Sequence, residues 1–334
     1  MLLSLSTFIL QSQTDLENLL GAGVENAERF ANDFLKPGTN GVMHSMNANW
    51  FNTADAKPLG GFEISIITNA SVIKNEHKSF VMNIADYNSA DYDFTVSFDD
   101  NANSKSVSTA LGENNPDIDI LVESKLVPGT TDRITLPSGI GSDFNYLPTA
   151  FIQGALGLSK GLEIKARFLP KLKTDDIEGS MYGVGLQAEF TKWLPADKIL
   201  PVALSGLVAY TNLDAKYNLT DTSGFSGSDQ RLESITSTWL LQFIASTKLP
   251  IINFYGGIGY ISGESNSDVL GSYEIDNGIL PTETVTDPFS VSSKVSSVRG
   301  TIGAKLKLGF FRLNAEYHLS DFNALSLGIN FGFR

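Results

Sequence analysis

The chain of 334 residues lacks cysteine altogether. This absence excludes disulfides, cysteine nucleophiles and thiolate metal sites. Positive charge is also scarce, because 24 lysines and arginines face 37 aspartates and glutamates, for a net charge of −13. A chain of this kind has no basic patch that could neutralise phosphates, so we expect no nucleic-acid partner.

Long apolar runs are absent as well. No stretch approaches the roughly 18 consecutive apolar residues of a transmembrane helix. Even residues 239–261, the most apolar part of the chain, are interrupted by Gln242, Lys248, Pro250 and Asn253. If this chain spans a membrane it must do so as a β-barrel, the other structure that satisfies every backbone hydrogen bond in lipid.

Histidines are few, and none has a partner at metal-ligand spacing. His44, His77 and His318 are the three present. Without a His-Glu-x-x-His pattern or a similar cluster, we expect no metal and no cofactor. His318 and Ser320, with Glu316 on the same strand face, resemble the His-x-Ser arrangement of outer-membrane lipid hydrolases. Ordinary strand alternation also produces this triplet, so we predict no catalytic residue and keep the lipid hydrolase as a remote alternative.

Strict alternation of apolar and polar residues fills the last third of the chain. In residues 325–334 one face is apolar and ends in two phenylalanines, while the other face is small and polar. Residues 298–308 and 311–319 repeat the pattern. An apolar face opposed to a polar one suits a strand with lipid outside and a watery lumen inside. A half-buried sheet of a soluble protein also alternates, but its strands are mostly shorter than these.

One amphipathic helix is predicted before the strands, over residues 14–35. Thr14 and Glu17 form a capping box, and Pro37-Gly38 ends the helix. Its apolar stripe, which we expect to plug or cap the barrel, comprises Leu16, Leu20, Val24, Ala27, Ala31 and Phe34. The alternative is a helix packed on a soluble domain.

Strand-like runs fill the chain from residue 60 onward, separated by turns that alternate between short and long. Short periplasmic turns and longer outer loops are typical of outer-membrane barrels. Nine strands are predicted from Tyr146 onward. If both termini lie on the periplasmic side of the membrane, the total number of strands is even, so an odd number must precede Tyr146. We expect three there, over residues 61–73, 77–85 and 92–98, which gives about twelve strands, with ten or fourteen as alternatives.

The predicted division of the chain has three parts. Residues 1–13 carry a short apolar core and are interpreted as the remnant of a signal peptide. Residues 14–59 form the helix and a plug-like segment, and residues 60–334 form the barrel.

Several segments resemble a known family. They are Phe34-Leu35-Lys36-Pro37, Asn47-Ala48-Asn49-Trp50-Phe51-Asn52-Thr53-Ala54, Leu147-Pro148-Thr149-Ala150 and Gly161-Leu162-Glu163-Ile164-Lys165-Ala166-Arg167-Phe168-Leu169-Pro170. They are similar to an uncharacterised outer-membrane family of Bacteroidota-type Gram-negative bacteria, which is distantly similar to the long-chain fatty-acid transport porins. The resemblance implies a barrel that transports a small hydrophobic or amphipathic molecule.

The polar strand faces give the candidate binding residues of the lumen. They are Glu163, Lys165, Arg167, Gln187, Glu189, Arg299, Lys305, Arg312, Asn314, Glu316 and His318. The alternative is that these groups only fill a narrow barrel with ion pairs. We expect a transporter or channel in the outer membrane of a Gram-negative bacterium, in contact with outer-membrane lipid. A barrel that serves as a scaffold for other envelope proteins is the second hypothesis.

Overall fold

The computed structural model describes residues 19–114, 117–141, 145–174, 177–195, 201–218, 227–275 and 283–333. In this part of the chain the long helix α1 spans Val24–Met46. The strands are β1 Phe62–Val72, β2 Ser79–Asn83, β3 Phe94–Phe98, β4 Ser104–Ser108, β5 Asp119–Ser124, β6 Thr131–Thr135, β7 Tyr146–Gly157, β8 Leu162–Lys173, β9 Ile177–Glu189, β10 Val202–Asn218, β11 Gly227–Thr247, β12 Ile252–Ile275, β13 Glu283–Thr286, β14 Phe289–Leu308, β15 Phe311–Leu319 and β16 Ala324–Phe333.

Ten of these strands form a closed antiparallel barrel. The order is β1-β7-β8-β9-β10-β11-β12-β14-β15-β16, and β16 pairs with β1 from Phe333 opposite Phe62 to Ala324 opposite Ser71. Successive residues alternate between an exposed outer face and a buried inner face, as in β16. The predicted antiparallel transmembrane barrel with an N-terminal helix is confirmed. Among the described residues no helix is long and apolar enough to cross a membrane.

The predicted number of about twelve strands was too high, because a single strand precedes Tyr146 in the barrel. The runs at residues 77–85 and 92–98 contribute β2 and β3 instead to two small sheets, β2-β4 and β3-β5-β6. These strands are five or six residues long. A tilted membrane strand needs roughly 9–11 residues, so they are too short to span the lipid. They form a domain over residues 73–145, called the cap.

The two ends of the barrel differ. At one end, called the short-turn end, β14 and β15 are joined by two residues and β11 and β12 by four. At the other end, called the cap end, lie the cap, the end of β10 with the start of β11, and the end of β12 with the start of β14. Parts of the polar stretches predicted as long loops are strand, since β12 continues to Ile275 and β14 begins at Phe289. These strands exceed the roughly 9–11 residues that a membrane requires, so they project beyond it.

The helix was predicted over residues 14–35, and the structure corrects its C-terminal limit and interrupts it at Gly23. Residues 14–18, with Leu16, lie outside the described part of the chain. Gly23, at φ 98°, separates residues 19–20 from α1. The helix then continues past Pro37 to Met46, because buried Phe34 and Met43 hold it on both sides of the proline. Proline removes one helical hydrogen bond, and the Thr39 hydroxyl donates to the carbonyl of Lys36 beside it at 3.0 Å.

The apolar stripe of the helix packs between the cap and the cap-end parts of the barrel strands, including Ile177 of β9 and Val291 of β14. Leu20, Ala27, Ala31 and Phe34 are buried in one cluster with cap residues, and Val24 packs against it. The Phe30 and Phe80 rings lie 5.5 Å apart. Their burial is as the periodicity indicates, and their role as a plug or cap of the barrel stays a prediction. The part of α1 that enters the barrel is its C-terminal end.

Candidate functional site

The structure places every predicted lumen residue on the inner face of the barrel wall. The side chain of Arg312 is 15% exposed. The others are at most 4% exposed: Glu163, Lys165, Arg167, Gln187, Glu189, Arg299, Lys305, Asn314, Glu316 and His318. This placement follows from strand parity, because their neighbours in sequence face outward. What these groups contact inside the barrel decides what they do there.

Residues 47–61, called the plug, run through the lumen from the cap end to the short-turn end. Near the start, the Ser45 hydroxyl of α1 lies 2.7 Å from that of Ser71, at the cap end of β1. Near the finish, the Gly60 amide donates to the carbonyl of Gly157, beside the turn between β7 and β8, at 3.0 Å. The chain then enters β1 and returns along the wall. The lumen is thus filled by a segment of the same chain.

Two aromatic residues anchor the middle of the plug. Trp50 is 1% exposed and lies flat against β9. A Cβ atom on Gly183 or Gly185 would lie 3.1 or 3.0 Å from its ring, so glycine at these positions permits the contact. Phe51 packs against Tyr255 at 5.5 Å between ring centroids. Both aromatic side chains are buried in one apolar cluster with wall residues such as Leu207 and Leu240, and they fix the middle of the plug.

Arg167 holds the beginning of the plug. Its guanidinium donates to the carbonyls of Met46 and Ala48 at 2.6 and 2.7 Å, and to Gln153 Oε1 at 2.8 Å. It also lies over the Trp50 ring, 4.2 Å from the centroid. The planar, five-donor fork of arginine permits this combination of two carbonyls and an aromatic stack. Arg167 is therefore a clamp on the plug backbone.

Two glutamates and a glutamine hold the middle and end of the plug. Glu163 accepts from the Lys57 amide at 3.0 Å and lies 3.2 Å from its ammonium. Glu189 accepts from the Ala56 amide at 2.7 Å. Gln187 donates to the carbonyl of Thr53 at 3.1 Å. These contacts satisfy backbone groups that would otherwise be buried without partners.

Glu63 is the centre of a charge cluster near the short-turn end. Its carboxylate lies 3.0 Å from Lys305 Nζ and 2.6 Å from Arg312 Nη1. It also accepts from Asn52 of the plug at 2.8 Å, and Lys305 donates to the same amide at 2.7 Å. The sequence analysis did not single out Glu63, although the parity of β1 puts it on the inner face. Lys165 pairs with Glu163 at 3.1 Å, so both predicted lysines neutralise plug-binding carboxylates.

Asn314 extends the contacts to the plug on the opposite wall. It donates to Asn49 Oδ1 at 3.2 Å and to the hydroxyl of Tyr255 at 3.1 Å. Asn49 has φ 55°, a left-handed conformation that asparagine tolerates better than most residues. Neither Asn49 nor Tyr255 was identified from the sequence.

Arg299, Glu316 and His318 form an inner cluster beside Tyr255, whose hydroxyl donates to Glu316 Oε2 at 3.2 Å. Arg299 donates to His318 Nδ1 at 3.1 Å, and Glu316 Oε1 lies 2.8 Å from His318 Nε2. The Ser320 hydroxyl donates to the carbonyl of Phe322 at 2.7 Å, and the serine nearest to His318 is Ser326 at 3.1 Å. The structure therefore does not bring together the predicted His-x-Ser pair.

An apolar cavity of about 200 Å³ lies at the cap end, above the plug. It is lined by α1, the cap and residues of β7 and β9–β12. The hydroxyls of Ser234, Thr236 and Ser267 line one side. No sequence pattern predicted this cavity, since its walls come from segments distant along the chain. The described residues contain no group of three metal-ligating side chains of the kind that could hold a metal ion.

Comparison with solved structures finds other membrane barrels. The COG4313 outer membrane channel of Pseudomonas putida F1 aligns over 84% of this chain and 98% of that chain, at 12% identity and a TM-score of 0.38. The attachment invasion locus protein Ail of Yersinia pestis aligns over 82% and 99%, at 11% identity and a TM-score of 0.26. The beta domain of the Bordetella autotransporter Brka aligns over 82% and 100%, at 13% and 0.28.

The barrel assignment rests on the strand pairing described above and not on these likenesses. A search of curated proteins found no match. The predicted similarity to fatty-acid transport porins and the Bacteroidota source stay predictions. Residues 1–333 match the model of a family described as "Family of unknown function (DUF6588)", and the chain belongs to that family.

Proposed function

We propose that this protein is a gated transporter in the outer membrane of a Gram-negative bacterium, and that the plug is its gate. Its cargo is a small hydrophobic or amphipathic molecule. The proposal rests on one observation: a continuous backbone segment, the plug, closes the lumen. Side chains alone can fill the interior of a barrel of eight strands. A barrel of ten strands is wider, and the plug occupies the additional space.

The contacts that hold the plug are of a kind that water can replace. Arg167, Glu163, Glu189 and Gln187 bind mostly its backbone amides and carbonyls. In a lumen that hydrates during opening, each of these groups exchanges a protein partner for water, at a net free-energy cost of about 1.5–3 kcal/mol for the charged side chains and about 0.5–1.5 kcal/mol for Gln187. The gate can therefore open without disruption of the barrel wall.

The chain connections limit how the plug moves. Its first residue follows α1, which is anchored in the cap, and its last residue precedes β1, which is paired on both sides. The plug cannot leave the barrel as a free segment. Opening is a shift of residues 47–61 against the wall, with α1 and the cap following.

A reversible crosslink between plug and wall tests the gate. Thr53 Oγ1 of the plug and Ser246 Oγ of β11 lie 3.1 Å apart. The variant with Thr53→Cys and Ser246→Cys forms one disulfide in a chain that has no other cysteine. In planar bilayers we expect openings when the thiols are reduced and at least a tenfold lower open probability when they are oxidised. The two single-cysteine variants, given the same oxidant, are the controls.

Openings that persist unchanged in the oxidised double variant would contradict a moving plug. A barrel that stays closed in both redox states would instead favour a scaffold. The sealed lumen and the cap over residues 73–145 support that second function, since a scaffold needs a surface and no pore. Equal closure in the two redox states, with correct folding, would separate it from the transporter.

A further inference from the structure

The apolar cavity at the cap end has the composition of a binding site and not of a water-filled mouth. Its walls include Leu35 and Val42 of α1, Leu111 of the cap, Leu147 of β7 and Leu213 of β10. A pocket lined mainly by aliphatic side chains with a few convergent polar groups is typical of a small-molecule site. Its volume of about 200 Å³ sets the size of the occupant.

The polar side chains on one side of the cavity are hydroxyls that already bond to other hydroxyls of β11 and β12. Thr236 Oγ1 lies 2.8 Å from Ser265 Oγ, and Ser267 donates to Ser234 at 2.9 Å. A hydroxyl can both donate and accept, so this side of the cavity can take a ligand hydroxyl or carbonyl by rotation of its own protons. These residues come from β11 and β12, opposite the leucines of α1 and β7.

Charge is almost absent from the cavity. Lys216 is the one charged residue among those described there. In β10 its neighbours Ala215 and Tyr217 have the inward parity, so Lys216 belongs to the outer face, where its ammonium lies 3.9 Å from Glu233. A carboxylate in the cavity would be desolvated without a cationic partner, which is costly. The site therefore discriminates against anions.

We propose that the cavity binds a small neutral molecule that has an apolar ring or short chain and a single hydroxyl or carbonyl group. A dry cavity of about 150 Å³ accommodates benzene, so about 200 Å³ accommodates a ring with a short substituent. The molecule bound in this cavity would be the cargo of the proposed transporter, and its fate after binding rests on that proposed function. The cavity differs from a fatty-acid site because none of the described residues that line it directs a cation inward to pair with a carboxylate.

The test is equilibrium dialysis of two matched probes against the full chain in lipid nanodiscs at neutral pH. The probes are 4-ethylphenol, which is neutral, and 4-ethylbenzoate, which is anionic. Empty nanodiscs measure partition into lipid. We expect saturable binding of 4-ethylphenol at least tenfold tighter than that of 4-ethylbenzoate. Thr236→Val removes one hydroxyl of the cavity and should weaken 4-ethylphenol binding by roughly 2- to 12-fold, the equivalent of one hydrogen bond.

The matched variants are Ala215→Trp, which fills the cavity, and Val208→Trp, which adds the same side chain to the lipid face of β10. Val208 is 40% exposed and Ala215 lines the cavity. Only Ala215→Trp should abolish binding. Binding no greater than in empty nanodiscs, equal binding of the anion, or equal binding by both tryptophan variants would each overturn the inference. If the probe binds but the Thr53–Ser246 crosslink leaves conductance unchanged, the site stands and the transport function fails.

Discussion

The two halves of the barrel interior differ in what fills them, although the same strands build both. On β9, Gln187 and Glu189 near the short-turn end bind the plug, whereas Ile177 and Met181 near the cap end are part of apolar clusters. The polar half is filled by its own chain, and the apolar half keeps a cavity. In the proposed function, closing the lumen and selecting a ligand would thus fall to different parts of one wall.

The difference has a physical cause. Backbone amides and carbonyls of an irregular segment must be hydrogen-bonded when buried, so a plug of 15 residues requires a polar wall. A helix satisfies its own backbone, so α1 can pass through an apolar mouth. The kind of segment that enters each half therefore matches the polarity of the wall around it.

The largest expected effect is a loss of stability when the charge cluster of the polar half loses its central carboxylate. Glu63→Leu leaves Lys305 and Arg312 buried without their carboxylate. Removing one partner of a buried ion pair costs about 3–5 kcal/mol. We expect the free energy of unfolding, measured by urea titration in detergent with heat-modifiable gel mobility as the folding readout, to fall by about that amount.

Glu178→Gln is the matched control for that substitution. Glu178 pairs with Lys171 and Lys173 at the cap end, where both lysines are well exposed. Ion pairs in contact with water contribute little to stability, so this variant should unfold close to the wild type. Equal effects of the two substitutions would show that the interior charges are not specially arranged.

A smaller effect is expected from Arg167→Lys, which keeps the charge but loses the fork. Lysine cannot donate to both Met46 and Ala48 carbonyls and also stack on Trp50. We expect a loss of about 1.5–3 kcal/mol in the free energy of unfolding and a higher open probability in planar bilayers. Arg133→Lys, on the exposed surface of the cap, is the control. Unchanged conductance and stability would remove Arg167 as a clamp.

The boundary between the halves should respond to pH. His44, at the end of α1, lies 3.7 Å from Asp321 in the turn between β15 and β16. Burial, followed by the nearby charge of Arg299, lowers the pKa of His44 from 6.5 to about 4. Below pH 6.5, His44 binds a proton in the unfolded chain but stays neutral in the folded chain until the pH approaches 4. The folded state therefore loses stability as the pH falls from 6.5 towards 4, by about 1–3 kcal/mol.

His44→Asn isolates that contribution. The asparagine variant should lose less stability than the wild type between pH 7 and pH 4.5, in the same urea titration. His77, which stacks on Phe322 at 3.9 Å, also has a lowered pKa through burial and remains in both proteins. Parallel stability profiles of the two proteins would contradict the assignment.

The wall of the barrel could be predicted from the sequence, because the alternation of apolar and polar residues indicates on which face of its strand each residue lies. The long strands β14–β16 show it most clearly, and the inward parity of Arg167 and Lys305 followed from it. Alternation does not state which strand pairs with which. Residues 77–85 and 92–98 alternate too, yet they belong to the cap, and only their length distinguishes them.

The plug could be predicted only in part. Its place between helix and first strand suggested that it enters the lumen, but no period marks which of its residues are buried. Trp50 and Phe51 stand among asparagines and carry no helix or strand pattern. The cavity could not be predicted at all, since Leu35, Leu147 and Leu213 become neighbours only when the barrel closes.

Single-channel conductance tests most directly the claim that the plug closes the lumen. We would compare the double variant Trp50→Ala, Phe51→Ala with Trp239→Ala, which deletes the same indole from the lipid face, where Trp239 is 56% exposed. We expect steady conductance for the plug variant and, for the control, only the brief gated openings of the wild type. Two folded, heat-modifiable barrels that both stay as closed as the wild type would contradict that claim.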